Sequence, residues 1–127
     1  MMTQADLRKL AMARLKDAEV LIKHRRYDGA WYLCGYVVEL ALKSRICRTL
    51  KLNEYPESRA YQSFKTHSLD TLLHLSGREV KIKTVHLPEW SIVVDWDPSV
   101  RYQTLGTATA SDAKDMRDSA RVLLKAL

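Results

Sequence analysis

Two cysteines in 127 residues provide no disulfide framework. Cys34 and Cys47 lie thirteen residues apart in what reads as one helix, about 20 Å along its axis and well beyond the reach of an S–S bond. Two reduced thiols are therefore expected, as in a reducing cytosol. The four glycines are scattered, so there is no Gly-rich loop to cradle a phosphate, and neither His-Glu-x-x-His nor a pair of Cys-x-x-Cys motifs occurs. No cofactor is expected. No apolar run approaches the roughly 18 residues that span a bilayer, and Met1 to Asp6 lacks the apolar stretch of a signal peptide. A cytoplasmic location without a membrane partner is the expectation. Apolar residues at 46% and charged residues at 28% also exclude a disordered chain.

What the chain does have is positive charge, unevenly placed. Its net charge is +6. Residues 1–51 carry eleven Lys or Arg against five Asp or Glu, whereas residues 52–127 carry ten of each. The surplus therefore belongs to the first two helices and their turn, where Lys23, Arg25 and Arg26 cluster. Such a surface attracts RNA, nucleotide phosphates or an acidic protein, or is simply a solvated face.

Helical periodicity organises most of the rest into one domain, residues 1–127. From Gln4 to His24, Leu7, Ala11, Leu15, Ala18, Leu21 and Ile22 form one apolar stripe, with Arg14 inside it. Asp28 is placed to cap a second helix running to Leu50. Ala30, Cys34, Val37, Val38 and Ala41 form that helix's centre line, and its flanks are apolar too, which predicts a central helix or one with a second, intersubunit face. Its narrow polar strip holds Tyr32, Tyr36, Glu39 and Lys43, with Glu39 and Lys43 at ion-pair spacing. Past Ala41, Arg45 and Arg48 take over the centre line. Either the helix leaves the core there, or two arginines line a cleft. A short helix from Ser68 to Leu75 stops at Gly77. Val80, Ile82 and Thr84 alternate as in a strand, and Pro88 opens a possible short helix. The last helix starts near Ser111 and buries Ala113, Met116, Ala120, Leu123, Leu124 and Leu127. The expected fold is all-α, an up-and-down antiparallel bundle of four to five helices with an irregular segment around residues 78–110.

Chemistry is sparse. His67, Asp70 and His74 share one side of the third helix, as metal ligands would, yet solvent-facing residues opposite the leucines explain them, and no metal site is assigned. Cys34 lacks a base and sits on an apolar line, which favours packing over nucleophilic chemistry. A metal-independent ribonuclease needs a cation for the phosphate and an imidazole for the 2′-hydroxyl proton. Arg59 with His67, and Arg78 with His86, are the candidate pairs; unrelated surface residues are the alternative.

The run Ala30-Trp31-Tyr32-Leu33-Cys34-Gly35-Tyr36-Val37-Val38-Glu39-Leu40-Ala41-Leu42-Lys43 resembles the signature helix of HEPN domains. It follows a basic turn, His24-Arg25-Arg26-Tyr27-Asp28, like the one that ends the family's first helix. Thr66-His67-Ser68-Leu69-Asp70-Thr71-Leu72-Leu73 is similar to the opening of the family's next helix. Trp96-Asp97-Pro98 with Arg101-Tyr102 is similar to the loop before its last. The resemblance implies a helical bundle, dimerisation, and a role in RNA cleavage, nucleotide binding or partnership with a small nucleotidyltransferase in a prokaryotic toxin–antitoxin or defence setting. Nuclease members of the family carry Arg, then four to six residues, then His. Here seven residues separate Arg59 from His67 and Arg78 from His86, one more than that spacing, so no standard nuclease motif is present. The expected function is that of a module binding a nucleotide, RNA or a nucleotidyltransferase, as a homodimer. Arg45, Arg48 and Arg101 would face the ligand, and Tyr102 would stack on a base. The alternatives are a ribonuclease using an atypical Arg/His pair and a structural dimeric interaction domain.

Overall fold

The computed structural model describes residues 2–56, 64–103 and 105–127. Among them are six α-helices: α1 (Gln4–Lys23), α2 (Tyr27–Thr49), α3 (Leu69–Ser76), α4 (Glu79–Val85), α5 (Leu87–Val93) and α6 (Ala110–Ala126), with a 3₁₀ segment at Pro98–Tyr102. The all-α bundle is as expected, but the segment read as irregular is more helical than its sequence suggests. Ile82 is buried while Val80, Thr84 and their lysine neighbours are exposed. The apparent alternation thus arises from a helix that buries one side chain per two turns, a pattern too short to separate from a strand. Pro88 does open α5, in its first turn, where a missing N–H costs nothing.

α2 is central. It packs on α1, α3, α6 and the 3₁₀ segment, and its buried residues run from Ala30 to Cys47, so the wide apolar girth is used within the chain itself. α1 and α2 are antiparallel, joined by a tight turn in which Arg25 takes φ 60° and locked at the far end by Ser44 Oγ donating to the Gln4 carbonyl (3.0 Å). α3, in contrast, runs parallel to α2: its N-terminal end meets Glu39 through His67, while at its other end Thr49 Oγ1 donates to the Ser76 carbonyl (2.6 Å). An up-and-down reading holds for the first helix pair and not for this one.

Local chemistry sets the helix ends. Thr3 with Asp6 and Thr109 with Asp112 form reciprocal capping boxes for α1 and α6, so α6 starts one residue before Ser111, and Thr109 is its cap. Ser68 caps α3, and Gly77, at φ 73°, ends it. Asp28 does not cap α2, which already begins at Tyr27. From the first turn its carboxylate instead accepts the N–H groups of Gly106 (2.6 Å) and Ala108 (2.8 Å), fastening the loop before α6. Those two bonds hold the Asp28 carboxyl below its ordinary range.

Candidate functional site

The polar strip of α2 carries the first cluster of interest. The pair expected from spacing forms, Lys43 Nζ lying 3.2 Å from Glu39 Oε2. Glu39 is, however, fully buried, and a third residue completes the group: His67 Nδ1 is 2.8 Å from Glu39 Oε1. Both carboxylate oxygens are thus engaged, as a buried charge requires. Lys43 also lies over the Tyr55 ring, 5.2 Å from its centroid. The His67 side chain is 56% exposed, and with Nδ1 on Glu39 its Nε2 is the nitrogen left for another partner.

Aromatic packing walls this cluster. Trp96 is buried, with its ring centroid 5.8 Å from that of Tyr32. It reaches α2 only because residue 35 is glycine; a Cβ there would fall 2.1 Å from the indole. Two pieces of the HEPN-like pattern, the α2 run and Trp96-Asp97-Pro98, therefore touch. Burial, and next the negative charge of Glu39, push the Tyr36 hydroxyl's pKa up. Ser99 N–H, 2.8 Å from Asp97 Oδ1, pulls the Asp97 carboxyl down, and the nearby His67 adds to this.

The second cluster is cationic. Arg45 and Arg48 lie one turn apart near the end of α2, and Arg78, one residue past Gly77, joins them. Gly77 abuts Thr49, which brings the α3–α4 junction against the end of α2. Burial, and then the charges of Arg78 and Arg48, lower the pKa of the Arg45 guanidinium. The Nε atoms of Arg45 and Arg78 are buried without a hydrogen-bond partner. Among the described residues none of the three arginines is in an ion pair. Their charge is therefore not neutralised by any described carboxylate.

The remaining sequence candidates disperse. Arg59 lies outside the described residues, and Arg101 is described only in its backbone. Tyr102 is 78% exposed at the end of the 3₁₀ segment, beside a cleft of about 550 Å³ lined by Asp28, Trp31, Tyr32, Val100 and Gln103. That cleft is at the start of α2, ~21 Å along the helix from Arg45, so Tyr102 and the arginine cluster are separate sites. Arg78 and His86 cap opposite ends of α4, ~12 Å apart along it. His67, on Glu39, lies across α2 from Arg48, nine residues and about 180° round the helix. Of the two candidate pairs, the one that is described, Arg78 with His86, therefore does not converge. The trio with metal-like spacing is divided among different partners: His67 with Glu39, Asp70 with Lys83 (3.2 Å) and His74 with Glu79 (3.5 Å). Arg14 pairs with Asp17 at 3.1 Å. Cys34 and Cys47 are buried free thiols, and burial pushes Cys34 up to about 12, which makes it a packing residue.

Sequence reasoning missed two features, the burial of Glu39 with its link to His67 and the arrival of Arg78 beside Arg45. Glu39 left one trace, a lone acid between Val38 and Leu40 in an otherwise apolar stretch. Arg78 left none.

No helix among the described residues is long and apolar enough to cross a membrane. Comparison with curated proteins and with solved structures gives no significant match. The HEPN domain family, in contrast, matches residues 4–127. That span takes in the helix bundle, the Glu39–His67 link and the Gly35–Trp96 contact together, and the chain belongs to the HEPN domain family.

Proposed function

We propose that this HEPN-family chain is a cytoplasmic binding module for RNA or a nucleotide, and that Arg45, Arg48 and Arg78 hold its phosphate. The carrying observation is the arginine cluster itself. Arg45, Arg48 and Arg78 lie within electrostatic reach of one another near the end of α2, Arg45 and Arg78 each with a buried, unpartnered Nε, and no described carboxylate pairs with them. Such an arrangement is costly without an anion and favourable with one. Planar guanidinium forks suit phosphate oxygens. Tyr102, at the end of the 3₁₀ segment near the start of α2, would contact a ligand long enough to reach both ends. A homodimer and a nucleotidyltransferase partner, in a toxin–antitoxin or defence setting, are the family-level context we propose for it.

The test is fluorescence anisotropy with a labelled single-stranded RNA, and ATP as competitor, over a range of salt. Arg45→Ala with Arg48→Ala should weaken binding while leaving the helical circular dichroism unchanged. Each lost phosphate contact should lower the salt slope by about 1. Undiminished affinity in the double variant would remove these residues from the site.

One observation favours the alternative of a metal-independent ribonuclease. Glu39 orients the half-exposed His67 as a carboxylate orients a proton-transferring imidazole. That reading expects RNA cleavage in the presence of a chelator, abolished in His67→Ala. Intact RNA at high protein concentration, with and without a partner, would end it.

A further inference from the structure

The surplus positive charge of the first half is not all at the arginine cluster. Part of it rims a groove between α1 and α6, a cavity of about 360 Å³. The floor is carbon: Leu15 and Leu124, both buried, and Met12, half exposed. The rim is Arg8, Lys16 and Lys125, none in an ion pair among the described residues. Glu19 sits at one end but is already bonded to Arg121 at 2.5 Å, and Arg121 also approaches Asp118 at 3.8 Å. Three unneutralised cations therefore surround an apolar slot.

We infer that this groove docks an acidic amphipathic helix of a partner protein. From Arg8 to Glu19 the groove follows α1 for ~16 Å, about three turns of helix, which accommodates apolar side chains at i, i+4 and i+7 of an incoming helix. Carboxylates flanking those side chains would meet Arg8, Lys16 and Lys125. A second copy of this chain fits less well, because a two-fold pairing through the groove sets each cation row against its own copy. RNA would satisfy the cations and leave the apolar floor unused. The inference is independent of the arginine cluster, which lies on other elements.

The probe is a synthetic acidic peptide of about 14 residues with leucines along one helical face, titrated into the full chain and followed by anisotropy and amide shifts. Saturable binding is expected, with shifts concentrated in residues 8–19 and 121–125. A control peptide with serines in place of the leucines should bind at least tenfold more weakly. Met12→Glu, at a half-exposed position, and the pair Lys16→Glu with Lys125→Glu should each weaken the leucine peptide at least tenfold with unchanged circular dichroism. Equal affinity for the serine peptide, shifts elsewhere, or unaltered affinity in both variants overturns the inference. So does sedimentation showing a dimer that Met12→Glu alone dissociates, since a second copy would then fill the groove.

Discussion

At the scale of single residues the chain depends on how a few charges are held. The Glu39 side chain is 2% exposed and that of Lys43 only 15%, so water screens their contact little. Removing one partner of such a pair leaves an uncompensated charge. Glu39→Ala should therefore lose about 3 kcal/mol in urea unfolding. His67→Ala, which removes a half-exposed imidazole, should lose about 1 kcal/mol or less. A loss in His67→Ala as large as that in Glu39→Ala would count against an uncompensated Lys43 as the source of the cost. Asp28 offers a pH test. Its carboxyl is held below the ordinary value near 3.8 by the N–H groups of Ala108 and Gly106. Its contribution is therefore complete above that value and lost as pH falls through the lower folded-state value. The Gly106 and Ala108 amide resonances should titrate with a midpoint below 3.8, and Asp28→Asn should abolish that titration.

At the scale of elements, Gly35 is the position that lets a loop residue lie on the central helix. Gly35→Ala adds helix propensity of about 1 kcal/mol, yet its methyl group would overlap Trp96. The clash should win, giving net destabilisation of about 1–3 kcal/mol and a red shift of tryptophan emission as the indole is displaced. At the end of α1 the opposite change should help. Arg25 holds φ 60°, a region costly to any side chain and free to glycine, so Arg25→Gly should stabilise by up to about 1 kcal/mol in thermal unfolding. Much at this level was legible. The stripe of α1, the buried face of α6 and the stop at Gly77 follow from 3.6-residue periodicity and from glycine's tolerance of positive φ. α4 was not, because seven residues give too few turns for one buried position, Ile82, to declare a period. Asp28 was misassigned because N-capping and loop fastening call for the same acceptor, and only the path of residues 105–108 separates them.

For the whole molecule, one helix serves as the shared wall of the core, the polar cluster and the cationic end. Both cysteines lie on that wall, so their reactivity reports on the integrity of the fold. Under native conditions a disulfide reagent should leave Cys34 and Cys47 unmodified until the chain opens, with labelling rates that track global unfolding. Fast native labelling of Cys34 would show that α2 separates from α6 locally. The sequence by itself determined the fold class, the centrality of α2 and the excess of charge in its first half, since periodicity and composition act over neighbours along the chain. Only tertiary structure decided which charges far apart in the chain meet. Docking α3 parallel to α2 puts His67 on Glu39, 28 residues away, and carries Arg78 to Arg45. It leaves Tyr102 at the far end of the same helix. Such encounters depend on the direction and register of packed helices, and no local spacing encodes those.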